Sequence, residues 1–122
     1  MPRLEKDVKS SVLSVLDNLQ RAGAVVWHLR INSGKVQTKY GSWIQMAPLG
    51  TPDIMAVLSN GKIYFIETKS DTGKQSLPQK QFQENCKDWA TYEIVTSSDQ
   101  VYKTVERLTG HYEKILDGIT LD

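Results

Sequence analysis

Two charged residues stand where a β-strand pattern places apolar side chains. Alternation along a predicted strand at 62–69 puts Glu67 and Lys69 on the same face as the large apolar residue Phe65. A carboxylate or ammonium group in such a row is costly to bury unless it is paired or binds a metal ion. Glu67 therefore needs a positively charged partner or a metal ion, and Lys69 needs a negatively charged partner.

Asp53 begins the preceding predicted strand, 53–58, and its position relative to Glu67 depends on the intervening turn. A two-residue turn at 60–61 would put the two carboxylates on opposite faces. A three-residue loop at 59–61, with its glycine in the left-handed conformation, sets them directly opposite each other. The apolar alternation of both strands favours this second register. Two facing carboxylates repel, and a divalent cation between them reverses the sign of that interaction.

Two further polar side chains fall on predicted apolar helix faces. Glu5 shares the apolar stripe of a helix predicted at 3–22, where it either joins the carboxylates or complements the helix dipole. Gln79 lies on the inward side of a helix predicted at 77–89, where it serves the site, closes a capping box with Ser76, or does both.

The chemistry of this set favours a hard cation. Carboxylates without a Cys/His cluster prefer Mg²⁺ or Mn²⁺ to zinc. Lys69 has two interpretations: an ion pair with Glu67 or Asp53 at the strand end, or a cation that stabilises negative charge developing beside a bound metal.

Basic residues suited to a polyanion are concentrated in the same part of the chain. Residues 1–80 carry 11 Lys and Arg against 6 Asp and Glu, whereas residues 81–122 carry 4 against 8. A polar connection at 33–50 mixes lysines with aromatic side chains, which suits either phosphate contact and base stacking or a solvated hairpin. The candidate DNA contacts of this connection and of the site's flanks, each also interpretable as solvated surface, are Lys35, Lys39, Arg30, Lys74 and Lys80.

The predicted elements form one α/β domain with a mixed sheet. Besides those named, they are a strand at 24–32, a small hairpin around 40–42, a loop at 70–75, a strand at 92–96, and a helix that is capped by Ser98 or Asp99 and runs to about 109. The order is αβββαβα.

Length and composition agree with a single soluble domain. The chain has 122 residues, 39% of them hydrophobic, which suits one core over 1–122 with residues from about 110 as a C-terminal extension. No apolar run approaches the ~18 residues of a membrane span. The lone cysteine, Cys86, is expected in the core, and His28 and His111 are interpreted as structural. We expect a cytoplasmic protein.

The motif pattern resembles a nuclease family. Gly50-Thr51-Pro52-Asp53-Ile54 followed by Ile66-Glu67-Thr68-Lys69 resembles the PD-(D/E)xK nuclease signature. The fuller pattern is similar to that of the VRR-NUC (virus-type replication-repair nuclease) family, and the resemblance extends from residue 5 to about 108. Its remaining pieces are Glu5, Arg30-Ile31-Asn32-Ser33-Gly34, Gly73-Lys74 and the helix start from Ser76 to Gln79.

This resemblance implies a restriction-endonuclease-like αβββαβ core and a Mg²⁺- or Mn²⁺-dependent DNA endonuclease without an organic cofactor. By family roles, Asp53 and Glu67 are metal ligands and Glu5 a further one. Lys69 is the catalytic lysine and Gln79 a site residue, while Asn32 and Ser33 join Arg30 in the DNA-binding set. The resemblance leaves open whether the site holds one metal ion or two.

Stand-alone members of this size look like phage enzymes and are similar to Holliday-junction resolvases, which act as homodimers on branched DNA. A phage enzyme would work in the host cytoplasm. The alternatives are a flap- or end-directed repair nuclease and a non-catalytic DNA-binding module on the same fold. The extension has no family counterpart, and its apolar residues suit packing on a partner or on their own domain: Tyr112, Ile115, Leu116 and Ile119.

Overall fold

A computed structural model describes residues 4–31 and 34–110. Its elements follow the predicted order, with the predicted hairpin forming a separate two-stranded unit. Asn32, Ser33 and residues 111–122, including His111 and most of the predicted extension, lie outside the described residues. The elements are α1 (Glu5–Arg21), β1 (Val25–Arg30), β2 (Lys35–Gln37), β3 (Trp43–Gln45), β4 (Ile54–Leu58), β5 (Ile63–Thr68), α2 (Leu77–Cys86), β6 (Thr91–Val95) and α3 (Ser98–Thr109).

The main sheet is mixed, as predicted. Its strand order is β1-β4-β5-β6, with β1/β4 and β4/β5 antiparallel and β5/β6 parallel. In the β4–β5 hairpin, Ile54 pairs with Ile66 and Met55 with Phe65. Gly61 has a φ of +85°, in the left-handed region that a three-residue loop requires. The register with the three-residue loop is therefore confirmed.

One face of this sheet carries the main core. The apolar stripe of α1 packs on it together with α3, whose strong amphipathic pattern buries Val101 and Val105. The inward residues of β5 on this face, Tyr64, Ile66 and Thr68, are fully buried. The alternation predicted for this strand is thus present in the fold.

The opposite face is only partly covered. Helix α2 and the turn that follows it shield β5 through aromatic contacts: the Phe65 ring meets Phe82 edge-on at 5.1 Å and Trp89 at 5.7 Å between centroids. Toward β1 the same face is open, and Trp27 and Leu29 are about half exposed. The sheet therefore has helices on both sides but an uncovered apolar strip at one edge.

Some predicted boundaries are wrong. Helix α3 is capped by Ser97, not by Ser98 or Asp99, because the Gln100 side-chain oxygen accepts from the Ser97 backbone N–H at 3.1 Å. Helix α2 ends at Cys86, which is buried as expected. Its predicted last turn, residues 87–89, forms a non-helical turn instead. Among the described helices, none combines the length and apolarity that a membrane crossing requires.

Candidate metal centre

Asp53 sits just before β4, and three backbone features set its position. Its carbonyl accepts a hydrogen bond from the Ile31 N–H at 2.6 Å, which fastens it to the end of β1. Gly50, with a φ of +87°, turns the chain into the strand. A Cβ at Gly50 would lie 2.3 Å from the Pro78 carbonyl oxygen, so this turn packs directly against the start of α2.

The carboxylate of Asp53 is buried and oriented by Thr68. Its Oδ2 accepts from the Thr68 backbone N–H at 3.0 Å and from the Thr68 hydroxyl at 2.7 Å. Continuing the β4–β5 register by one residue places Asp53 opposite Glu67, as the sequence predicted for a three-residue loop. The two carboxylates therefore share one end of the sheet.

Glu67 is the most perturbed acid of the described site. The residue is 3% exposed, and burial raises the pKa of its carboxyl to about 8. The negative charge of Asp53 acts in the same direction, and the positive charge of Lys69 opposes it. Burial and the neighbouring acid thus favour the protonated form of the Glu67 carboxyl.

Glu5 completes a three-carboxylate cluster. It is the first residue of α1, and although the residue itself is exposed, one of its oxygens reaches the buried pair. Ligand oxygens of Glu5, Asp53 and Glu67 all lie within 4.8 Å of one another. The donor set is oxygen only and includes two buried acids, which fits a hard divalent cation such as Mg²⁺ or Mn²⁺.

Lys69 lies immediately beside this cluster. Its Nζ is 3.7 Å from the Glu67 Oε2, and its side chain is 13% exposed. Its backbone N–H donates to the Val95 carbonyl at 2.9 Å, which ties the end of β5 to β6. A Cβ at Gly73 would lie 3.2 Å from the Lys69 Cβ, so the loop after β5 folds closely over the lysine.

Lys9 also belongs to the site, although it is not among the residues predicted from the sequence. Its Nζ is 3.4 Å from the Asp53 Oδ1, the oxygen that Thr68 leaves free. Lys9 stands four residues after Glu5 on α1, a spacing that puts both on one side of a helix. That spacing was the available signal for including it with the acids.

Gln79 forms a capping box with Ser76, which is one of the two roles that the sequence predicted for it. Its Oε1 accepts from the Ser76 N–H at 2.8 Å, and its own N–H donates to the Ser76 hydroxyl at 3.3 Å. The turn at Gly50 packs against the same residue, because a Cβ there would lie 3.1 Å from the Gln79 nitrogen. Gln79 thus supports the segment that carries Asp53, while its predicted role in catalysis stays a prediction.

The predicted DNA contacts are dispersed around the centre. Arg30 lies at the end of β1 and lines a cavity with two lysines of α1. Lys74 and Lys80 are exposed near the start of α2. On the small hairpin Lys35 is exposed, and Lys39 lies 5.1 Å from the centre of the Tyr40 ring. None of their described contacts brings these five side chains to the three carboxylates.

His28 belongs to β1 and lies away from the cluster, against the C-terminal part of α1. Its ring nitrogens contact Gln20 at 2.8 Å and Asp17 at 3.1 Å. These contacts fasten β1 to the helix, so a structural role fits its described surroundings.

Comparisons of the chain with family models, with curated proteins and with solved structures find no match. Fold and site together define a mixed α/β protein with helices on both faces of its sheet. An acidic cluster able to hold a metal ion lies where the sheet meets the first helix.

Proposed function

We propose that this protein is a divalent-metal-dependent DNA endonuclease. The observation that carries the proposal is the cluster of Glu5, Asp53 and Glu67, whose ligand oxygens lie within 4.8 Å of one another. Lys69 stands beside it at 3.7 Å from Glu67. Carboxyl groups this close together repel when they are ionised, and a divalent cation between them would turn that repulsion into attraction.

The architecture is consistent with the restriction-endonuclease-like core that the motif resemblance implies. With the small hairpin set aside, the elements run αβββαβ before the last helix, and the sheet is mixed. The two acidic motif residues come from the adjoining ends of β4 and β5, and the third comes from the first turn of α1. The three acids thus come from separate elements that only the folded chain brings together.

Each residue of the centre has a distinct role in this proposal. Asp53 and Glu67 hold Mg²⁺ or Mn²⁺, with Glu5 as a further ligand. The cation supplies Lewis acidity toward a phosphoryl oxygen and a water nucleophile at neutral pH. Thr68 keeps Asp53 oriented, and Glu67 releases its proton when the cation is held. The Lys69 ammonium stabilises negative charge that develops on the phosphate during cleavage.

The proposed substrate is branched DNA, and the proposed enzyme is a homodimeric Holliday-junction resolvase of the phage type, acting in the cytoplasm. The resemblance supplies this part, and two surfaces support it. The hairpin exposes Tyr40 and Trp43 next to lysines, a combination suited to unpaired bases and phosphates. The open strip at Trp27 and Leu29 gives a second copy of the chain an apolar surface on which to pack.

The decisive experiment is cleavage of labelled DNA by the wild type in Mg²⁺, Mn²⁺ and EDTA. A four-way junction, a flap and a linear duplex are compared, with Asp53→Asn as the site variant and exposed Asp88→Asn as its matched control. We expect metal-dependent paired nicks at the junction from the wild type and Asp88→Asn, and none from Asp53→Asn. Sedimentation velocity is expected to show a dimer.

The other outcomes separate the alternatives. Cutting confined to flaps or ends would retain the nuclease and discard the resolvase. Tight DNA binding in EDTA with no cutting of any substrate would identify a non-catalytic DNA-binding module. Cleavage by Asp53→Asn at the wild-type rate would overturn the assignment of the metal centre.

A further inference from the structure

A basic cavity adjoins the metal centre. It has a volume of about 220 Å³ and lies between the first half of α1 and the end of β1. Three of its lining side chains are cationic and none is acidic. The lining residues are Lys6, Lys9, Ser10, Leu13 and Arg30.

Two of the three cations of this cavity have no acidic partner among the described residues, while the third, Lys9, contacts Asp53. Within residues 4–31 and 34–110, neither Lys6 nor Arg30 has an ion-pair partner. Both residues are exposed at the cavity mouth. Lys6 and Arg30 repel each other across this concave space unless an anion enters, and Lys9 adds positive charge that Asp53 only partly offsets. The cavity therefore has the charge of an anion site.

Its chemistry matches a phosphate group in particular. The Arg30 guanidinium offers a planar set of donors for two phosphate oxygens, and lysines bind phosphate as compact point charges. The Ser10 hydroxyl adds a neutral donor. Leu13 closes part of the wall with an apolar surface, against which a sugar rather than a second charged group can lie.

Lys9 joins the cavity to the metal centre. It lines the cavity and also approaches the Asp53 Oδ1 to 3.4 Å. An anion in the cavity would therefore lie one lysine away from the cation held by Asp53. This adjacency fits two successive groups of one polymer: one phosphate at the metal and its neighbour in the cavity.

We propose that the cavity lined by Lys6, Lys9, Ser10 and Arg30 binds a backbone phosphate of the DNA strand next to the phosphodiester that is cut. The inference rests on the proposed function for the identity of the polymer. It adds the binding site that sets the direction and register of the strand across the metal centre.

Binding without cleavage tests the cavity. A labelled duplex is titrated in EDTA against the wild type, Lys6→Met and Arg30→Met, with exposed Lys62→Met as the matched control and melting curves to verify folding. Loss of a charge-assisted contact predicts about tenfold weaker binding at low salt for each cavity variant. The slope of log affinity against log salt should fall by about 1. Lys62→Met should bind as the wild type does.

A second arm distinguishes the source of the phosphate. The duplex is prepared with and without 5′-phosphates, and inorganic phosphate is added as a competitor. A backbone phosphate predicts the same loss for both duplexes. A loss seen only with 5′-phosphorylated ends would overturn the proposal in favour of an end-binding pocket. Equal affinity of the cavity variants and Lys62→Met would overturn it outright.

These results are separable from the test of the nuclease. If the wild type cuts no DNA but the cavity variants still lose DNA binding, the endonuclease proposal fails and the phosphate site stands. If the wild type cuts DNA and the cavity variants bind normally, the endonuclease stands and the phosphate site fails.

Discussion

Thr68 holds a single oxygen of the Asp53 carboxylate with two hydrogen bonds, one from its backbone N–H and one from its hydroxyl. Both residues are buried, Thr68 completely. The other oxygen of Asp53 faces Lys9 at 3.4 Å. The carboxylate is therefore oriented by the fold before any ligand binds, with one oxygen held by Thr68 and the other in contact with Lys9.

Thr68→Val tests this orientation. The substitution removes the hydroxyl and leaves the Asp53 oxygen with the backbone bond alone. We expect a loss of about 1–3 kcal/mol in the free energy of unfolding, because a buried charged acceptor loses a donor. We also expect weaker Mg²⁺ binding, measured as a smaller rise in melting temperature on adding the ion.

Thr104→Val is the matched control for this change. Thr104 is also buried, and its hydroxyl bonds to the Glu93 carboxylate at 2.9 Å. It should lose stability while retaining the full Mg²⁺-dependent rise in melting temperature. A full rise in Thr68→Val would contradict an orienting role for its hydroxyl.

The titration of Glu67 predicts how stability depends on pH in EDTA. Its folded-state pKa of about 8 exceeds the ordinary value of 4.5, chiefly through burial and then through the charge of Asp53. The folded protein therefore binds more protons than the unfolded chain between these values. The stability that this proton confers is complete below about pH 4.5 and is lost as pH rises through about 8.

Chemical unfolding across pH 5–8 measures this effect. Glu67→Gln, which cannot ionise, should flatten the decline in the free energy of unfolding, whereas exposed Glu84→Gln should retain it. In the wild type, Mg²⁺ affinity should rise over the same range, because binding displaces the proton. An unchanged slope in Glu67→Gln would assign the pH dependence to other groups.

Lys69→Met separates catalysis from metal binding. The Lys69 ammonium stands beside Glu67 and lowers the pKa of that carboxyl, so the pH at which Mg²⁺ affinity rises should move upward in the variant. Cleavage should fall by at least about 100-fold, since the variant lacks a positioned cation for transition-state charge. Mg²⁺ should still raise the melting temperature. Lys103→Met, at an exposed position on α3, serves as the control and should cleave normally.

Gly50→Ala tests the contact between the Asp53 segment and α2. Alanine there meets both a positive φ and the Pro78 carbonyl, which would lie 2.3 Å from its Cβ. Gly61→Ala carries the same strain with nothing within 4 Å. Denaturant unfolding should show a loss of about 1 kcal/mol for Gly61→Ala and a clearly larger one for Gly50→Ala. Equal losses in the free energy of unfolding would mean that the turn at Gly50 can move away from α2 at little cost.

Much of the fold could be predicted because its signals are local. The stripe of α1, the alternation of β5 and the glycine at 61 each act over a few residues, and together they indicate the element order and the hairpin register. The start of α3 was misplaced for a local reason as well, since Ser97, Ser98 and Asp99 are all good caps. Only the side chain of Gln100 decides among them.

From the sequence alone, the apolar alternation of both strands favoured a three-residue loop that makes Asp53 and Glu67 face one another, while a two-residue turn would have separated them. The strand pairing in the structure selects the three-residue loop. What surrounds the two carboxylates depends on how distant elements pack together. The approach of Lys9 to Asp53 and of Glu5 to the buried pair depends on where α1 crosses the end of the sheet. That crossing results from the packing of two apolar surfaces, a non-directional force that acts between residues far apart in the chain.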